Sequence, residues 1–272
     1  MKTETRSTLS IPCNNHRFYS LPIAIVAQFF IASLAGASCS VTSPAATAHL
    51  VELYTSEGCS SCPPADRWLH NLPARDDVVA LAFHVDYWDS LGWRDRFADP
   101  RFTDRQRAMA ARSGSTTVYT PEVVLDGREW RRWPSAALPE SSESAPIAMT
   151  LDVVPGNPLR ASVAISSAGG SNVDDYVTYV ALTEDGLSNS VKAGENRGEL
   201  LQHDHVVRAF ASPSNAGPSN AGPSKPAKAT VELDAPADLV RAQASVVAFA
   251  QSTRDGSIGQ VVRLPLATCP SS

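Results

Sequence analysis

The stretch VELYTSEGCSSCPPADRWLHNL, residues 51–72, constrains this chain more than any other. An apolar run of strand length leads into two cysteines spaced C-x-x-C, Cys59 and Cys62, and Pro63-Pro64 follow at once. Proline is tolerated in the first turn of a helix, where N–H groups lack partners anyway. The pattern predicts a buried strand over 49–55 and a helix over 63–72 stopped by Pro73, with the cysteine pair between them. A helix N-terminus offers free N–H groups and roughly half a positive charge, and both favour thiolate over thiol. Cys59 is then expected to be the more acidic and more exposed thiol, with Cys62, one turn on, placed to resolve a mixed disulfide. Two other readings stand beside this one. The pair is an inert structural disulfide, or it is half of a zinc site that no second C-x-x-C completes.

Redox compartment decides between reactive and structural cysteines. Lys2, Arg6 and Arg17 outweigh Glu4 at the N-terminus, and the apolar run Leu21–Ala37 ends in Ala35-Gly36-Ala37. This is the pattern of a secretory signal peptide over residues 1–37. A membrane anchor is the competing reading, but the run contains Gln28 and falls short of the ~20 apolar residues that span a bilayer. Lipidation at Cys39 is a third, with Gly36 where a lipobox wants Leu. Cleavage removes three positive charges and one negative, taking the net charge from −5 to −7. A mildly acidic chain gives no electrostatic reason to expect nucleic-acid binding, and no other segment has the length and apolarity of a span. The mature protein is therefore expected in the periplasm or outside the cell. Four cysteines would remain, and pairing Cys59 with Cys62 leaves Cys39 with Cys269.

Secondary-structure signals divide the chain in two. DVVALAFHV (77–85) is a near-continuous apolar run, as in a strand buried on both faces. TDRQRAMAARSG (103–114) reads as a helix, with Thr103 and Gln106 at capping-box spacing and Gly114 at its end. PEVVLDGREW (121–130) reads as a hairpin turning at Asp126-Gly127. After the Pro/Ser segment 134–146 come about seven short alternating runs, the pattern of a β-sandwich. The expected architecture is an α/β domain over 45–135 followed by an all-β, sandwich-like domain over 146–268. The segment 212–228 repeats PSNAG without large apolar side chains, which predicts a disordered loop.

The segments VELYTSEGCSSCPPAD, LAFHVDYWDSLGWRDRF, DRQRA, VYTPEVVLDGR and GENRGELLQHDHVVRAFA resemble a family of secreted bacterial proteins, domain of unknown function 1223. The region from about 50 to 130 also resembles a thioredoxin-like domain. That resemblance implies an α/β thioredoxin fold with an added β-rich domain, Cys59 attacking and Cys62 resolving. It also implies that Thr120-Pro121 is a cis-proline loop that faces the cysteines and holds a substrate peptide, the alternative being a trans proline that opens an edge strand. Glu52 is the nearest candidate for a buried acid serving the resolving thiol, although a solvent-facing position at a strand edge suits it equally. The Ser60-Ser61 dipeptide leaves the direction of reaction open.

His84 and Asp86 share a strand face by the period of two and are expected to emerge on the cysteine side. For His84 three readings stand: a hydrogen-bonded loop around Trp88 and Trp93, tuning of the thiolate, or a copper site with both cysteines. His203 and His205 are expected as exposed sheet residues, and Arg94, Arg96, Arg101, Arg105, Arg107 and Arg112 as a solvated face. The function expected is thiol–disulfide exchange with periplasmic protein thiols or disulfides. The alternative is a binding protein, for copper or a protein partner, with structural cysteines.

Overall fold

In the computed structural model the described residues are 38–141, 143–212 and 227–270. The expected signal peptide lies outside them, as does residues 213–226 of the expected disordered loop. The elements of the first half are β1 (Cys39–Thr42), β2 (His49–Thr55), α1 (Pro63–His70), β3 (Val78–His84), α2 (Pro100–Arg112), β4 (Glu122–Leu125) and β5 (Arg128–Glu129). β6 (Ile147–Val154), β7 (Leu159–Ser167), β8 (Tyr176–Glu184), β9 (Leu187–Ser190) and β10 (Leu200–His203) follow. The chain continues through β11 (Val206–Ala211), β12 (Ala227–Leu233), β13 (Ala244–Ser252) and β14 (Ile258–Pro265).

β2 and β3 are parallel neighbours joined through α1, and β4 lies antiparallel on the other edge of β2. The β4–β5 turn has positive φ at both Asp126 (51°) and Gly127 (81°), as a two-residue hairpin turn requires. A Cβ on Gly127 would stand 2.0 Å from the Gly256 carbonyl oxygen, so this turn also needs glycine to admit a neighbouring backbone. α2 begins three residues earlier than expected. Asp99 is its N-cap, accepting from the Arg101 N–H, and Thr103 instead donates to Asp86.

The expected α/β thioredoxin-like domain followed by an all-β domain is not what forms. β11 pairs parallel with the free edge of β3, Val206 opposite Ala82, and antiparallel with β8 on its other side. The result is one eight-stranded mixed sheet, in the order β14-β13-β8-β11-β3-β2-β4-β5, drawn from both halves of the chain. Strands dominate, with two α-helices among the described residues. The cause is the apolar run of β3, which needs a ladder on both edges and finds the second about 120 residues away.

The period of two assigns the faces of this sheet. One face carries Ala80, Ala82, Val51 and Leu53 against Ala65 and Leu69 of α1. Farther along the same face, Leu182, Val246 and Ala248 pack on Leu151, Val163 and Ile165. Those last residues belong to a four-stranded antiparallel sheet, β1-β6-β7-β12. The opposite face holds Leu81, Phe83, Ala181 and Phe249 against Phe102 and Met109 of α2. Cys39, opening β1, and Cys269, just past β14, form a disulfide that closes 230 residues of chain.

A candidate thiol–disulfide site under a loop from the second half

Thr55 and His84 stand opposite each other at the carboxyl ends of parallel β2 and β3, where open sheets present their ligand sites. From there the chain turns through Ser56-Glu57-Gly58 into Cys59, and α1 starts at Pro63 with Cys62 as its N-cap. Cys59 and Cys62 are joined in a disulfide, Cα atoms 5.4 Å apart. The cis Thr120-Pro121 bond lies opposite: the Ser61 hydroxyl donates to the Thr120 carbonyl at 3.5 Å, and Trp88 Nε1 donates to Thr120 Oγ1 at 2.8 Å.

The pair is closed over. Cys59 and Cys62 are both 0% exposed, and only Ser60 and Ser61 of the motif face solvent, so the expected exposure of Cys59 is not found. The cover is the loop 191–199 between β9 and β10. Asn196 Nδ2 donates to the carbonyls of Glu57 and Cys59 at 2.9 Å each. Glu195 Oε2 accepts from the Ser60 N–H at 3.0 Å, and its hydrogen bonds from Ser60 hold the Glu195 carboxyl below its ordinary range. Gly194 sits so close to Trp93 that a Cβ there would be 3.0 Å from the Trp93 Cβ. No local signal in GENRGE marked these residues as a cover, because the contact spans more than 130 residues.

Glu52 is buried, and its carboxylate is taken up by Arg105 and Tyr54. Arg105 clamps it with two hydrogen bonds of 2.7 and 3.0 Å, and Tyr54 donates to it at 2.9 Å. Arg105 is therefore not part of a solvated face. Its guanidinium lies 4.9 Å from the Tyr179 ring centroid and 5.1 Å from that of Phe249, and Glu52 outweighs the cost of burial in keeping it charged. Asp86 is held by Thr103 of α2 at 2.5 Å. His84 is fully buried, with Nδ1 2.7 Å from Asp95 Oδ2. Burial alone would lower its pKa, but the charge and hydrogen bond of Asp95 win and raise it. His203 is buried too, correcting the expectation of an exposed sheet position, and its Nε2 lies 3.4 Å from Glu57 Oε1. Asp66, one turn past Cys62, accepts from Thr55 at 2.9 Å, and burial raises its pKa against the pull of both histidines.

Among the described residues no group of three His, Cys, Asp or Glu is placed to hold a metal ion, so a Cys59/Cys62/His84 copper site is not assembled in this disulfide form. A cavity of about 680 Å³ lies beyond the Thr120-Pro121 segment, lined by Tyr119, Glu122, Arg112 and Arg131 among others, and neither cysteine borders it.

These features define a predominantly β protein with a buried C-x-x-C disulfide at the end of a central parallel strand pair. The chain belongs to the family described as protein of unknown function (DUF1223), whose model matches residues 50–251. No curated protein matches it. A crystal structure of an Agrobacterium tumefaciens protein is similar in fold, with 22% identity, 84% of this chain and 98% of that chain covered, and a TM-score of 0.56. HBP35 of Porphyromonas gingivalis is similar at 15% identity, 85% and 78% coverage, and a TM-score of 0.57.

Proposed function

We propose that this protein carries out thiol–disulfide exchange through Cys59 and Cys62, on protein thiols or disulfides of an oxidising compartment. One observation supports the reading: the disulfide bridges a strand end and a helix start, with the Thr120 carbonyl 3.5 Å from the Ser61 hydroxyl on the exposed side. A peptide laid along the Thr120-Pro121 segment would bring its sulfur beside the pair. The resemblance to thioredoxin-like proteins is local to these segments. Two disulfides support secretion, and no helix among the described residues is long and apolar enough to cross a membrane.

Cys59 is the attacking residue in this reading. Cys62 is the N-cap of α1, and Pro63 and Pro64 bring no N–H groups to a second thiolate. Cys62→Ser should therefore accumulate mixed disulfides with proteins of the native compartment, and Cys59→Ser should not. Failure of both single variants to trap a partner counts against exchange. The full burial of both cysteines favours a second reading, a binding protein with a structural disulfide. It predicts that the pair resists thiols until the chain unfolds.

A further inference from the structure

Around Glu57, two residues before Cys59, lies a set of titratable groups that exchange at Cys59 does not use. The rings of His84, ending β3, and His203, ending β10, meet edge to face with centroids 4.9 Å apart, and Phe97 closes on both. Four buried atoms here have no hydrogen-bond partner among the described residues: His84 Nε2, both ring nitrogens of His203, and Glu57 Oε1. An unpartnered buried polar atom costs about 1–3 kcal/mol, and native proteins hold few. Four in one cluster is a cost that packing does not explain. A proton that comes and goes accounts for two of the four, since His203 Nε2 and Glu57 Oε1 lie 3.4 Å apart, ready to pair.

The surroundings are mostly acidic. Asp95 holds His84 from the loop after β3 and is itself backed by Asp89 through the Asp95 N–H. Asp66 faces the histidines from α1. Trp93 and Asn189 donate to the other Glu57 oxygen at 2.7 and 2.9 Å. The nearest cations, Arg96 and Arg208, lie on Phe97 and are committed to Asp238 and Glu184. The cluster also reaches the disulfide by two routes. Asn196 ties the Glu57 and Cys59 carbonyls together, and Asp66 stands one helical turn past Cys62.

We propose that this cluster is the proton store of the disulfide, with His203 taking up a proton when Cys59–Cys62 is reduced and releasing it on reoxidation. The inference rests on the exchange reading. In the reductive direction a partner thiolate bonds to Cys59 Sγ, the Cys59–Cys62 bond breaks, and the electron pair stays on Cys62 Sγ. The partner's second thiolate then attacks its own bridging sulfur, and Cys59 Sγ leaves. Two electrons pass from the partner dithiol to the pair, and the two protons it gives up are shared between the new sulfurs and the cluster. A protonated His203, hydrogen-bonded to Glu57, offsets the charge that arrives on the buried Cys62 sulfur.

The test is the midpoint potential of Cys59–Cys62 against pH, in the full mature chain equilibrated with dithiothreitol and glutathione buffers. Each proton taken up per two electrons adds about 30 mV per pH unit to the slope. His203→Gln should lower the slope by about that amount over the interval where the wild type is steepest. The ring ¹⁵N shifts of His203 in the wild type give a second readout that needs no variant, and they should titrate at higher pH in the reduced protein than in the oxidised one. A reducible pair with the same slope in both proteins, or identical His203 titration in both redox states, overturns the proton store alone. A pair that no thiol reduces in the folded chain overturns the exchange reading and the proton store together.

Discussion

Asn196 donates a hydrogen bond of 2.9 Å to the carbonyl oxygen of Cys59, across 137 residues of sequence. The same nitrogen reaches the Glu57 carbonyl, so one amide ties down the turn that carries Cys59. Asn196→Ala leaves the buried Glu57 carbonyl without a partner at about 1–3 kcal/mol and takes one of two hydrogen bonds from the Cys59 carbonyl, which still accepts from the Cys62 N–H. The loop 191–199 should then open more often, and dithiothreitol should reduce Cys59–Cys62 about tenfold faster or more, since 1.4 kcal/mol is a factor of ten. Stopped-flow reduction compares the two proteins, and equal rates mean that the loop does not control access.

The ion pair of Glu52 and Arg105 lies in the core, with Arg105 among four aromatic rings. Arg105→Met should destabilise the fold by about 3–5 kcal/mol, because it strands the Glu52 carboxylate. Adding Glu52→Gln should recover part of that loss. Urea denaturation of Arg105→Met, Glu52→Gln and the double variant measures both effects, and additive losses contradict the pairing.

Legibility from sequence follows the range of the interaction. β2, β3 and the Asp126-Gly127 hairpin rest on local periodicity and turn chemistry, and they form where VELYT, DVVALAFHV and VVLDGRE place them. The cysteine pairing followed from an even count. The β11–β3 pairing did not follow from anything local, since nothing in VVRAFA says which distant strand it will meet. His203 was misplaced for a different reason. His203 and His205 alternate as if exposed on one strand face, but His205 adopts φ 57° and lies between β10 and β11. That break turned an apparent surface position into a buried one beside Glu57.

His84 and Asp95 make the stability of the fold depend on pH. The His84 pKa is raised in the fold, since Asp95 outweighs burial, so its contribution is complete below about 6.5 and is lost as pH rises through the folded value. Asp95 is driven the other way: burial raises its pKa, but His84 and backbone N–H groups lower it overall. Its contribution is present above about 3.9 and is lost as pH falls through the folded value. His84→Gln should therefore cost most, about 3–5 kcal/mol, between roughly pH 4 and 6.5. A gap to wild type that stays constant from pH 4 to 9 contradicts the pairing.

Cys39–Cys269 closes 230 residues, which in the chain-entropy model stabilises by about 5 kcal/mol before any strain. Replacing both cysteines by Ser should lower the urea midpoint by a corresponding amount while leaving Cys59–Cys62 oxidised. Peptide mapping without reduction should recover the two bridged peptides, and free thiols at Cys39 and Cys269 contradict the link.

The central claim is that Cys59–Cys62 exchanges with thiols in the folded protein. Equilibrating the native chain with glutathione buffers, then alkylating and weighing the products, tests it most directly. The account predicts a midpoint potential between about −120 and −270 mV, the range of exchange proteins, with the fold intact in both states. A midpoint below about −300 mV, or a pair reduced only on unfolding, marks a structural disulfide and contradicts it.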